Sequence, residues 1–331
     1  MSFTNTFDTT NTGSAVSNRE DLTDVLTILA PEETPILSSA DKKKASSTFV
    51  EWTVDSLAAP STSGISEGAD VTAFTDQFAG RAKLGNRVQK FRRDYMVSDM
   101  QEAVDSVGPA KIAQAEAKAI RELKRDIEAT LASANTQAVE NGAGTANALG
   151  GLGDWIQNAA GSANVPAAFQ TPAASVVDAG ATLSESEFNG LITSIFGVTG
   201  STNNLMLIAD TTLRSDISDF ARTTASATDN VRSVNYDGNS GEIKLSVDLY
   251  QSDHGIVSIV NGNPDCMPTQ GGTAGMMGYL VNPEYYGVHE LIPMGSTRLP
   301  NLGGGERGFV DCALTLGVYH PGAHGKIVDP S

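Results

Sequence analysis

Cysteine is almost missing from this chain of 331 residues: Cys266 and Cys312 are the only two. Two thiols cannot staple so long a chain, so the fold must rest on a buried core and not on a disulfide framework. Aromatic residues make up only 6% and there are four histidines, which leaves little material for imidazole chemistry. No apolar run approaches the roughly 20 residues that a membrane span requires. The opening MSFTNTFDTTNTGSAVSNRED has neither a basic n-region nor an apolar h-region, so neither a membrane protein nor a Sec-exported precursor is expected. Cations are also scarce, 22 against 39 acidic residues for a net charge of −17. Phosphate binding depends on Lys and Arg releasing counterions, so the acidic balance argues against a protein built mainly to hold nucleic acid.

What is present is unevenly spread. Residues 1–125 carry 15 basic and 18 acidic side chains, whereas residues 126–331 carry 7 and 21, giving −3 and −14. Lys42, Lys43 and Lys44 form one basic run, residues 81–93 hold six cations and residues 111–125 hold five. The length fits one large domain or two medium ones. Neither an internal repeat nor a separating linker divides it.

Residues 1–17 are rich in Thr, Asn, Ser and Gly and cannot offset their own ordering entropy, so a flexible arm is expected. A helix is signalled from Asn18, with Leu22, Val25, Leu26 and Leu29 at helical spacing and Pro31 as its stop. Residues 31–35 turn the chain, and Ile36 and Leu37 offer a short apolar contact before the lysine run.

Residues 48–57 alternate, Val50, Trp52 and Val54 on one face and Glu51, Thr53 and Asp55 on the other. A polar loop spans 58–80. Beyond it Ala82, Leu84 and Val88 share one face while Arg81, Lys83 and Arg87 share the other, so a second strand pairs antiparallel with the first. Glu51 and Asp55 are placed for cross-strand ion pairs. At most those two carboxylates neutralise Arg81, Lys83 and Arg87 within the hairpin, and a long two-stranded ribbon is a poor independent unit. All five residues are therefore candidates for an intersubunit contact.

Residues 109–134 read as one long helix with Pro109 in its first turn, a stripe of Ile112, Ile120, Leu123, Ile127 and Leu131, and i,i+4 pairs Lys118–Glu122 and Lys124–Glu128. Residues 183–290 read as an α/β unit. A helix over 184–196 opens with a Ser184/Glu187 capping box, 205–209 is a buried strand, and Asp210 caps a helix carrying Leu213, Ile217 and Phe220. Strands follow at 243–249, 256–260 and 279–281, with a Gly-rich stretch at 270–278. A Gly-rich turn over 297–307 leads into a strand at 309–318, and Lys326-Ile327 ends an exposed tail.

No constellation of catalytic residues rises above an ordinary structural reading. A GxxxxGK[ST] loop is absent, no GxGxxG joins a strand to a helix, and the Gly150-Gly151-Leu152-Gly153 run has no apolar strand before it. His320 and His324 have ligand-like spacing, but Pro321-Gly322 breaks any helix that would align them, and two ligands leave zinc incompletely held. Ser252-Asp253-His254 reads as a turn between strands, because catalytic groups converge in space and not in sequence. Cys266 follows Pro264-Asp265 and Cys312 lies in an apolar strand, neither beside the cations that activate a thiol. No catalytic residue, cofactor or metal is assigned.

The order of arm, hairpin, long helix, α/β unit and returning strand resembles a tailed-phage major capsid protein of the Hong Kong 97 fold. So do the stretches Arg19-Glu20-Asp21-Leu22, Pro31-Glu32-Glu33-Thr34-Pro35, Phe49-Val50-Glu51-Trp52, Glu122-Leu123-Lys124-Arg125-Asp126, Gly151-Leu152-Gly153-Asp154-Trp155-Ile156 and Ala323-His324-Gly325-Lys326-Ile327. The resemblance implies an α+β chain with an N-terminal arm (1–46), an E-loop hairpin (47–93), a P domain with a spine helix (94–182), an A domain (183–290) and a C-terminal strand returning to the P domain (291–331). It further implies a homo-oligomeric icosahedral shell of pentamers and hexamers around double-stranded DNA bound without sequence specificity. Assembly would take place in the host cytoplasm, with separate scaffolding, portal and decoration proteins as partners, and the shell would be part of the virion. Some relatives carry a scaffold-like extension before the arm, and some weld subunits through a lysine at the E-loop tip. Here the first strand begins near Thr48, and 58–80 contains no lysine, so neither device is expected. The competing readings are a bacterial nanocompartment shell of the same fold and, from another class, an acidic extracellular enzyme or carbohydrate-binding module.

Overall fold

The computed structural model describes residues 33–104, 111–157, 165–180, 182–202, 204–220, 248–267 and 277–328. The arm at 1–17, the helix expected from Asn18, Pro109, most of the strand expected at 243–249 and most of the Gly-rich stretch 270–278 lie outside them. Helix α1 (Pro35–Ser39) and strand β1 (Asp41–Lys44) lead into β2 (Phe49–Val54), β3 (Ala82–Arg87) and β4 (Gln89–Val97). Helices α2 (Asp99–Ala103), α3 (Lys111–Ala132) and α4 (Leu152–Trp155) follow. Next come β5 (Val176–Asp178), α5 (Glu185–Thr199), β6 (Leu205–Ala209) and α6 (Thr211–Phe220). The chain continues through β7 (Leu249–Ser252), β8 (Gly255–Asn261), β9 (Met277–Val281), β10 (Tyr286–Leu299), β11 (Glu306–Val318) and β12 (Gly325–Val328).

Among the described residues the strands form three sheets: β1-β10-β11-β4, β5-β12-β9-β6-β8-β7, and the isolated pair β2-β3. The first sheet carries α3 across β4 and β11. Ala, Leu, Glu, Lys and Arg, all strong helix formers, make up 16 of the 22 residues of α3, which extend about 33 Å at 1.5 Å per residue. Its Leu123, Ile127 and Leu131 are fully buried. The expected Lys118–Glu122 pair is present at 3.7 Å, but Lys124–Glu128 is not. Position 128 flanks the buried stripe, and its carboxylate turns inward to accept from the Ile36 and Leu37 amides at 2.8 and 2.9 Å. Those amides open α1 and have no acceptor within the helix.

The six-stranded sheet buries a second core against α5 and α6, built on Phe188, Leu191, Ile192, Leu207 and Leu213. The Ser184/Glu187 capping box starts α5 as read, and Gly200 ends it at φ 67°, a left-handed conformation that glycine adopts without strain. Asp253-His254 forms the tight connection between β7 and β8, with Ser252 paired to Gly255 across it.

Sheets do not follow the segment boundaries drawn on the sequence. Strand β4 runs through residue 93 and β10 runs through residue 290, because each stays paired with β11 on both sides of those positions. Strand β11 returns beside β4, but β12 inserts between β5 and β9 of the other sheet. The tail is therefore not exposed. His324 is fully buried, its Nδ1 accepting the Asn282 amide at 3.2 Å, and burial pulls it down to about 4, so the ring is neutral near pH 7. Lys326 is buried as well and donates to the Gly153 carbonyl at 3.1 Å.

Candidate intersubunit surface

The register of the hairpin decides what its charged face can do. Strands β2 and β3 pair antiparallel with Phe49 opposite Arg87, Glu51 opposite Gly85, Thr53 opposite Lys83 and Val54 opposite Ala82. The inward face carries Trp52, whose ring lies 5.5 Å from that of Trp155 and 6.0 Å from that of Tyr319. Leu84 and Asn86 complete that face and are fully buried.

Asn86 fastens the root. Its Nδ2 donates to the Gly150 carbonyl at 2.9 Å and the Leu316 carbonyl at 2.8 Å, while its Oδ1 accepts the Gly150 and Arg87 amides at 2.9 Å each. All the hydrogen-bonding capacity of the side chain is thereby used in tying β3 to the α4 approach and to β11. Asn86 was not among the candidates. The signal was available: it falls in phase with Ala82, Leu84 and Val88, a polar residue on an otherwise apolar face.

On the outward face, one of the expected ion pairs forms. Arg81 Nε meets Asp55 Oδ2 at 2.7 Å, and this bond holds the Asp55 carboxyl below its usual range. The Arg81 guanidinium also covers the Phe78 ring at 4.0 Å. Glu51 is the correction: it faces Gly85 and has no ion pair among the described residues. The space across from it is filled by Phe49, since a Cβ at position 85 would lie 2.6 Å from the Phe49 ring. Arg87 stacks over that same ring at 5.0 Å instead of meeting a carboxylate. Lys83 likewise has no ion-pair partner among the described residues.

Above this root every residue from 55 to 81 is exposed. Leu57 is 99% and Phe74 93% accessible, and Ile65, Val71 and Phe78 are exposed too. The element is thus anchored at its base and leaves apolar groups uncovered at its tip, with Lys83 and Arg87 on the strand below it. Among the described residues no group of three His, Cys, Asp or Glu side chains could hold a metal, and no helix is long and apolar enough to cross a membrane. Burial pushes the Cys312 thiol up to about 12 and raises that of Cys266, the opposite of what a nucleophilic cysteine needs.

A family model described as the SU10 major capsid protein matches residues 3–331. The chain belongs to that family. It is a major capsid protein of a phage head, and its fold is of the Hong Kong 97 type. The capsid of cyanophage P-SCSP1u is similar at TM-score 0.64 and 12% identity, over 95% of this chain and 93% of that one. The capsid of cyanophage A-1(L) is similar at TM-score 0.63 and 13% identity, over 97% and 98%. That of a native GTA particle is similar at TM-score 0.60 and 11% identity, over 97% of both chains. No curated protein sequence matches significantly. This capsid protein therefore shares its fold with shells from which its sequence has diverged widely.

Proposed function

We propose that this capsid protein assembles as pentamers and hexamers into an icosahedral shell around double-stranded DNA, with the tip of the β2–β3 hairpin seated on a neighbouring subunit. The single observation that carries the seating is the uncovered tip. Leu57, Ile65, Val71, Phe74 and Phe78 are all exposed within one stretch of 22 residues, and a concentration of large apolar side chains left in water marks an interaction site. Lys83 and Arg87, without carboxylate partners, add the charge that orients such a contact, and the acidic second half of the chain supplies complementary groups.

In this reading residues 1–46 form the arm, the hairpin is the E-loop, α3 with the four-stranded sheet is the P domain, and the six-stranded sheet with α5 and α6 is the A domain. DNA is held without sequence specificity, and the protein performs no catalytic step. Scaffolding, portal and decoration functions belong to separate proteins, and assembly takes place in the host cytoplasm before the shell becomes part of the virion.

The test is Lys83→Glu combined with Arg87→Glu, which leaves the Arg81–Asp55 pair of the hairpin in place. Each exposed pair contributes only about 0–1 kcal/mol, but the contact repeats in every subunit. The variant is expected to keep wild-type secondary structure while losing shell yield and disassembling at lower temperature, and high salt should weaken wild-type shells in the same direction. Wild-type yield and disassembly temperature in the variant would assign these cations to solubility and to protection of the strand edge alone.

A further inference from the structure

A small cavity opens where α1, β1, α3 and β10–β11 meet. Its volume is about 120 Å³ and its floor is apolar, formed by Ile127, Cys312 and Leu314, with Leu37 at the side and Lys42 and Lys124 at the lip. Glu290 is also at the lip, 3.9 Å from Lys42. Lys124 has no ion pair among the described residues, because Glu128, its expected partner, is turned into the core. The lip therefore carries one net positive charge over an apolar floor. A cavity of about this size takes a group as large as benzene, which is enough for one leucine side chain.

We propose that this cavity receives a leucine from residues 18–30 of the same chain. That segment has Leu22, Val25, Leu26 and Leu29 at helical spacing, and its charges are Glu20, Asp21 and Asp24 against Arg19 alone. An apolar stripe flanked by carboxylates complements an apolar floor flanked by Lys42 and Lys124. A helix of 13 residues is marginal in water without a surface to pack on, so the pattern calls for a docking site. Connectivity selects the occupant. Leu37, only seven residues beyond Ala30, itself lines the cavity, and such a tether spans at most about 25 Å. A tether this short holds the segment at an effective concentration that a second copy in dilute solution does not reach.

Hydrogen exchange of the full-length, unassembled subunit, read by mass spectrometry over a dilution series, tests this without requiring shells. Residues 20–30 are expected to be protected to the same degree at every concentration. Cys312→Met, which fills the cavity, should lower that protection at least about tenfold, and Lys124→Glu, an exposed change, about two- to fivefold, while the amides of α3 and β11 stay protected. Random-coil exchange at 20–30 in the wild-type chain would overturn the proposal. So would protection that ignores both substitutions, or protection that appears only at high concentration or on assembly, which would assign the cavity to a neighbouring copy.

Discussion

Glu128 on α3 receives the backbone N–H of Ile36 at 2.8 Å, and with the Leu37 N–H at 2.9 Å this binds the first turn of α1 to the long helix. The carboxyl is buried and not exposed in an i,i+4 pair, and burial pushes it up to about 7 from an ordinary 4.5 in spite of the two amide donors. A single side chain thus joins α1 to the helix that organises the first core.

The sign of its pH dependence is unusual for a carboxylate. Between about pH 4.5 and 7 the unfolded chain ionises Glu128 while the folded chain keeps it protonated, so this group removes stability as pH rises, by about 3 kcal/mol in full. Its contribution is complete below about pH 4.5 and lost above about pH 7. Comparing urea midpoints of wild type and Glu128→Gln between pH 4.5 and 7.5 checks this: the difference between them should change across that interval. A difference independent of pH would show that Glu128 does not titrate there. Glu128→Ala, which strands two amides, should cost about 2–3 kcal/mol.

Asn86→Ala should loosen the hairpin at its root. The substitution leaves the Gly150 N–H and the Gly150 and Leu316 carbonyls short of their partners, at a cost of about 2–4 kcal/mol. Faster amide exchange across β2 and β3 is the expected readout, with α5 and β6 unchanged. Wild-type exchange rates in the hairpin would show that the Trp52–Trp155 contact holds the root by itself.

Mature particles boiled in denaturant should run as one band near 34.5 kDa. The tip loop 58–80 has no lysine for an isopeptide bond, and both cysteines are buried and free. A ladder of multimers that survives reductant would reveal a covalent cross-link formed elsewhere.

Elements whose chemistry is local were legible in the sequence. The Ser184/Glu187 box, the alternation of β2 and the turn at Ser252-Asp253-His254 each follow from a few neighbouring residues. What could not be read is what a distant partner decides. Glu128 reads as a solvated partner of Lys124 until α1 is known to begin against it, and Glu51 reads as a cross-strand ion pair until the register sets it opposite Gly85. The C-terminal residues look like an exposed tail because nothing nearby reveals that β12 lies between β5 and β9, where His324 and Lys326 become buried. Of the candidate surface, the hairpin and its Arg81–Asp55 pair were visible, whereas the Asn86 anchor needed the Gly150 and Leu316 carbonyls, 64 and 230 residues away.

Assembly itself is tested most directly by electron microscopy of the purified chain, expressed alone and together with a scaffolding protein. Closed shells or capsomers of five and six subunits are the predicted result. A folded chain that stays monomeric at high concentration under every assembly condition would contradict the account.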